Sequence, residues 1–191
     1  MTTVLAVDLG SAFGRVLAGT LTDGRLDVTD IHRFKHEARR RADGTLTWDV
    51  ATMEAETITG LKKALEQFPD ARAVSIDTWG VDWAPLDENG ELVGDVIAYR
   101  DERTSRTFDA FRDRIGDREF FDLTGNQPAT INTANQLFAY LQENPADAQR
   151  VAGVLFLPDY FVYRLTGAVG WSRTIASPPG LLTPGGGDFT D

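Results

Sequence analysis

Three short apolar runs open the chain: residues 4–8 (VLAVD), 15–20 (RVLAGT) and 26–33 (LDVTDIHR). In the second, Val16, Ala18 and Thr20 alternate with Leu17, Gly19 and Leu21, which is the period of a strand. The intervening LTDGRL carries an Asp-Gly pair suited to a tight hairpin. Connections this short join only antiparallel neighbours, so a β-meander is expected. A further strand, at an edge, is expected in TLTWD (residues 45–49), behind a polar stretch whose Arg39, Arg40 and Arg41 are expected in a solvated loop.

The period then changes. Val50, Met53, Thr57, Ile58, Leu61, Leu65 and Phe68 recur at helical spacing behind Asp49, a good capping residue, and a strand is expected at residues 73–77. WGVDWAPLDENGELVGDVIAYRD (residues 79–101) reads as a chain crossing the strand ends, a hairpin about Glu88-Asn89-Gly90, and a strand up to Tyr99. Helical patterns follow at residues 102–114, 117–123 and 133–143. A buried strand at 154–157 leads into a helix with Pro158 near its first turn. Beyond Gly167 regularity fades, and residues 178–191 have the Pro- and Gly-rich composition of a linker.

Composition narrows the chemistry. Among 191 residues, 29 Asp and Glu stand against 19 Lys and Arg, a net charge of −10, so a polyphosphate backbone would be repelled and nucleic acid is not an expected partner. No cysteine is present, which excludes disulfides and thiolate metal sites. The N-terminus lacks a basic leader and no apolar run reaches membrane-spanning length, so no membrane association and a cytoplasmic location are expected.

The turn between the first two strands is Asp8-Leu9-Gly10-Ser11-Ala12-Phe13-Gly14-Arg15. Its G-x-x-x-G spacing matches neither the dinucleotide fingerprint nor the P-loop, and the strand behind it brings no helix dipole. Such a loop can still cradle phosphate, because glycines let successive N–H groups point into one concavity; Ser11 adds a hydroxyl and Arg15 a positive charge. Asp8 would then hold a magnesium ion, directly or through water. The plainer alternative is a surface hairpin with a solvated Asp.

Other candidates have two readings each. Asp77 and Asp82 flank Trp79-Gly80 and are the internal candidates for a general base. Trp79 and Trp83 are stacking platforms for a ligand or core residues. Arg100 and Asp101 would hydrogen-bond a polar ligand or close a loop as an ion pair, and Asn132 is a helix cap or a hydroxyl ligand. His32 and His36 lack companions at ligand spacing.

The Asp8 to Arg15 stretch resembles the first phosphate loop of the FGGY carbohydrate kinases, within the actin, hexokinase and Hsp70 superfamily. His32-Arg33-Phe34, Thr47-Trp48-Asp49, residues 76–82 (IDTWGVD), Tyr99-Arg100-Asp101, and residues 158–161 (PDYF) with 165–167 (LTG) are similar, in order, to the rhamnulokinases of that family. The resemblance implies an α/β, ribonuclease H-like domain with a mixed sheet flanked by helices. It implies transfer of the γ-phosphate of ATP, with magnesium, to a ketose, typically L-rhamnulose at O1. By position, Ser11, Ala12, Phe13, Gly14 and Arg15 would face the nucleotide, Asp8 the metal, and Gly80 the sugar; Asp82, Arg100, Asp101 and Asn132 are further sugar-side candidates. Gly80 lies just past a strand, where ligands collect in α/β sheets. Phe13 departs from the family pattern, which favours a small hydroxyl residue there.

Family members are considerably longer. Residues 1–177 are therefore expected to be an incomplete first domain, and residues 178–191 to lead toward a second domain; the base and the adenosine-binding part would lie beyond Asp191, leaving this chain inactive alone. Two other functions remain: a catalytically silent module binding a sugar or partner, and a two-metal nuclease using Asp8 and Asp77.

Overall fold

The structure, a computed structural model, describes residues 1–185 and 188–189. Gly186, Gly187, Thr190 and Asp191 of the expected linker lie outside the described residues. In chain order the elements are β1 (Thr2–Leu9), β2 (Phe13–Thr22), β3 (Arg25–Lys35), β4 (Ala38–Arg40), β5 (Leu46–Trp48), α1 (Val50–Gln67), β6 (Val74–Thr78), β7 (Trp83–Leu86), β8 (Val96–Ile97), α2 (Arg103–Ile115), α3 (Asp117–Thr124), α4 (Thr133–Glu143), α5 (Pro145–Ala148), β9 (Gly153–Phe156), α6 (Leu157–Thr166) and α7 (Arg173–Ala176). They divide into two compact units. The first comprises Met1–Ala38 with Asp49–Trp79; the second comprises Arg39–Trp48 with the chain from Gly80 onward.

In the first unit, β3, β2, β1 and β6 form one sheet in that order, antiparallel except for the parallel β1–β6 pair. This is the mixed sheet expected. The β2–β3 turn places both Asp23 and Gly24 at positive φ, 48° and 80°, the backbone that matches strand twist in a two-residue hairpin. Leu5, Val7 and Leu9 of β1 and Val16 and Ala18 of β2 turn one face inward, where α1 covers it. Asp49 caps α1 by accepting from Thr52 N at 3.0 Å. Gly60 sets how near that helix comes, since a Cβ there would lie 2.4 Å from Val16 Cγ2.

In the second unit, β5 is the central strand of a separate sheet, β4-β5-β8. This corrects the edge strand expected there. Arg39 and Arg40 lie in β4 rather than in a loop, with their side chains still exposed, as an edge tolerates. β7 and β9 pair antiparallel, and Trp83, Tyr140, Phe156 and Leu182 form a core cluster in which the Trp83 and Tyr140 rings meet edge to face at 5.1 Å. The hairpin about Gly90 closes as expected, Asp87 N donating to Glu91 O at 2.9 Å. Linker-like composition did not mean a free segment at its start: Pro178 O and Pro179 O accept from Asn132 Nδ2 and Ala134 N, and Leu182 is buried. Among the described residues no helix is long and apolar enough to cross a membrane.

Candidate functional site

The glycine loop belongs to the first unit. β1 ends at Leu9, β2 begins at Phe13, and Gly10 N donates to Phe13 O at 2.9 Å, so the turn closes on itself while residues 10–13 stay exposed. Its underside is braced by His36, whose backbone N donates to Ala12 O at 3.2 Å. The buried His36 ring lies beneath the backbone of Gly10 and Phe13 and stacks on Trp79, centroids 5.8 Å apart. Burial lowers the His36 pKa, because an imidazolium would lose its hydration there. Gly14 is required by packing as well, since a Cβ would stand 2.1 Å from the Phe34 ring.

Charge gathers at the same strand ends. Arg15, the register partner of Asp8, donates through both Nε and Nη2 to Asp8 Oδ2, and this contact raises the Arg15 pKa. Asp77 is the register partner of Asp8 on the other side, across the parallel β1–β6 pair. Two carboxylates and a guanidinium therefore sit in one row across three strands. Among the described residues no group of three His, Cys, Asp or Glu could hold a metal, so the nuclease reading gains an acidic pair without a third ligand. Phe13 is exposed, and its register partner Lys35 carries its Nζ 5.9 Å from the ring centroid. That cation beside the loop escaped sequence reasoning; only the β2–β3 register reveals it.

The turn at Gly80 opens the second unit. Nothing lies within 4 Å of the position a Gly80 Cβ would occupy, and its φ lies outside the left-handed region, so neither packing nor backbone demands a glycine there. The left-handed residue is its neighbour Val81, at φ 74°. Thr133 Oγ1 and Gln136 Nε2 donate to Val81 O at 2.7 and 3.0 Å. Behind them Asp82 accepts from Trp48 Nε1 at 2.6 Å, Arg103 Nη2 donates to Gln136 Oε1 at 3.3 Å, and Arg103 Nη1 approaches Asp101 Oδ1 at 3.6 Å.

This interior network changes the expectation for three sugar-side candidates. Asp82 is 1% exposed and Asp101 6%, the latter accepting from Leu46 N at 2.7 Å and Arg103 N at 3.0 Å, so both hold the fold from within. Asn132 is buried, accepts from Ala129 N and donates to Pro178 O, and makes no capping bond, so it ties two loops together. Arg100 is exposed and its Nε donates to the adjacent Tyr99 OH, so it does not pair with Asp101. Trp83 is core, as the blander reading held. Thr133, Gln136 and Arg103 were not singled out in sequence, because polar residues at helix starts normally read as solvated.

The geometry can be set beside known proteins. The family model described as the N-terminal domain of the FGGY family of carbohydrate kinases matches residues 3–189. A rhamnulokinase of Mannheimia succiniciproducens is 38% identical over 181 residues, covering 94% of this chain and 37% of that protein. A rhamnulokinase of Klebsiella pneumoniae is 38% identical over 180 residues, again covering 37% of its own length. The chain thus spans little more than a third of the curated relatives it matches. Among solved structures, a xylulose kinase from Rhodospirillum rubrum superposes with a TM-score of 0.82 at 19% identity, covering 95% of this chain and 38% of that one. A Plasmodium falciparum glycerol kinase with ADP gives 0.83 at 16% identity, covering 100% and 40%. At such identities these structures establish the fold alone, while the family rests on the match across residues 3–189: the chain belongs to the FGGY carbohydrate kinases, by their N-terminal domain.

Proposed function

We propose that this chain is the first domain of an ATP-dependent ketose kinase that phosphorylates L-rhamnulose at O1. The observation that carries the reading is the exposed turn of residues 10–13 between Asp8 and Arg15, hairpin partners at the ends of β1 and β2. Backbone N–H groups of the turn and the Ser11 hydroxyl would hold phosphate oxygens, with positive charge from Arg15. Ala12, Phe13 and Gly14 would shape the cradle. Asp8 would anchor magnesium; the Arg15 contacts fall on its Oδ2, and magnesium keeps most of its water shell, so one carboxylate suffices. The ion, when bound, supplies neutralisation of charge on the transferring phosphate.

On the acceptor side the space beside Gly80 would admit the polyol. The ketose oxygen forms a bond to the γ-phosphorus, the bond from that phosphorus to the bridging oxygen breaks, and ADP departs. The hydroxyl proton goes to a base outside residues 1–191. Asp82 is too deeply buried to receive it, and Asp77 is not assigned that part. We assign residues 1–177 to the first domain and residues 178–191 to the passage toward a second, and place the enzyme in the cytoplasm. The names of the curated relatives support L-rhamnulose; the fold neighbours act on several substrates and do not discriminate.

The test is full-length protein assayed with ATP, magnesium and a panel of L-rhamnulose, xylulose, gluconate and glycerol, the product located by NMR. The expected outcome is the highest kcat/KM for L-rhamnulose with phosphate on O1, and no transfer by residues 1–191 alone. A preference for another acceptor would overturn the substrate assignment, and absence of transfer to any acceptor would favour a silent binding module.

A further inference from the structure

The turn after β6 distributes its residues against backbone preference. Left-handed φ is easy for glycine and costly for a β-branched residue, yet Gly80 is in an ordinary conformation and Val81 takes φ 74°. A sequence serving only the fold would gain by placing glycine at position 81. Such strain persists where surrounding contacts over-determine it.

Those contacts are unusually complete. Thr133 and Gln136 are 0% exposed, and both donate to the same atom, Val81 O. The Gln136 amide is itself fixed: its Nε2 also donates to Ile131 O at 3.0 Å, and its Oε1 accepts from Arg103, which is 2% exposed. On the far side of the turn, Leu157 N donates to Asp82 O at 3.0 Å. The Val81–Asp82 peptide, one residue beyond Gly80, is thus gripped by two buried donors and backed by a buried guanidinium, while nothing lies within 4 Å of the position of a Gly80 Cβ.

We propose that Thr133 and Gln136 are positioning residues for the acceptor: by clamping the Val81 carbonyl they hold Val81 left-handed and present the Gly80 backbone to the ketose in one orientation. The inference rests on the assignment of Gly80 to the sugar. Neither side chain touches substrate. A fixed peptide beside the polyol gives up no freedom on binding, so the clamp acts on ketose affinity and leaves nucleotide affinity alone.

The experiment compares Thr133→Val, which keeps the shape and removes the donor, with Thr133→Ser, which keeps the donor and removes a methyl group. Gln136→Met is the third variant, all in full-length protein. Ketose KM, ATP KM, kcat and melting temperature are measured for each. Thr133→Val and Gln136→Met are expected to raise ketose KM about tenfold, the equivalent of one hydrogen bond, with ATP KM within about twofold. Thr133→Ser is expected to keep the parental ketose KM even where its melting temperature falls as far as that of Thr133→Val. An unshifted ketose KM in Thr133→Val, or equal rises for both substrates, would overturn the clamp while leaving the functional reading intact. A parent that phosphorylates no ketose would take down both.

Discussion

The two units differ in what they bury beside their apolar side chains. In the sheet unit, Leu5, Val7, Leu9, Val16 and Ala18 line the buried face by strict alternation, and ionised groups such as Asp8 and Arg15 remain partly exposed. In the second unit a guanidinium and two carboxylates lie inside: Arg103, Asp101 and Asp82, at 2%, 6% and 1% exposure. Burial lowers the Arg103 pKa, and Asp101 and Asp82 act against it by raising the pKa. The lesson is that the sheet unit should respond chiefly to changes of volume, and the second unit to changes of charge balance as well as of volume.

The strongest way to break that contrast is Arg103→Met. Removing the guanidinium strands two buried carboxylates, and breaking a buried pair from one side costs about 3–5 kcal/mol. At about 2–4 °C per kcal/mol for a chain of this size, a melting transition lowered by roughly 10 °C is expected. Retention of the parental melting temperature would show that the network carries little.

Gly60→Ala probes volume in the sheet unit. The new methyl meets the stiff Val16 side chain, an overpacking cost of about 1–3 kcal/mol. The helix gains about 1 kcal/mol of propensity in exchange, so a net loss of up to about 2 kcal/mol in urea unfolding is expected. A stabilised variant would mean that α1 can lift away from β2 at little cost.

A pH series probes His36, a titratable group buried beneath the glycine loop. The folded-state pKa of His36 is depressed, so below its unfolded value near 6.5 the unfolded chain takes up a proton that the folded chain does not. Stability on this account falls as pH drops through the window between the two values, by at most about 1.4 kcal/mol per pH unit, and is indifferent to pH above it. The difference between parent and His36→Asn in urea midpoints at pH 7.5 and 5.5 is the measurement; equal slopes would contradict the assignment. The smallest effect belongs to Arg25→Ala: its Asp27 partner and Arg25 itself are both well exposed, so no measurable change in melting temperature is expected.

The same contrast decides what was legible in sequence. Alternation and an Asp-Gly turn announced β1, β2 and β3, and the helical period behind Asp49 announced α1, because each signal is local. β7 was missed since all four residues from Trp83 to Leu86 are buried, which erases alternation, and Pro85 argues against a strand. The loop from Asp8 to Arg15 was visible through its glycines. The contacts holding the Gly80 turn were not: they join Val81 to residues 52 and 55 positions away and Trp48 to Asp82 across 34. A buried Arg103 at the start of a charged helix gives no sign in the sequence that it faces inward.

The central claim, that the strand ends around Asp8 serve phosphoryl transfer, is tested most directly by Asp8→Ala in full-length protein at limiting magnesium. The ion pair with Arg15 is partly exposed, so its loss should leave the fold intact by circular dichroism and melting temperature. On the proposed function, turnover of L-rhamnulose should nevertheless fall by at least about 100-fold, because Asp8 would no longer anchor the metal. Near-parental turnover by a folded Asp8→Ala protein at the same magnesium concentration would contradict the account.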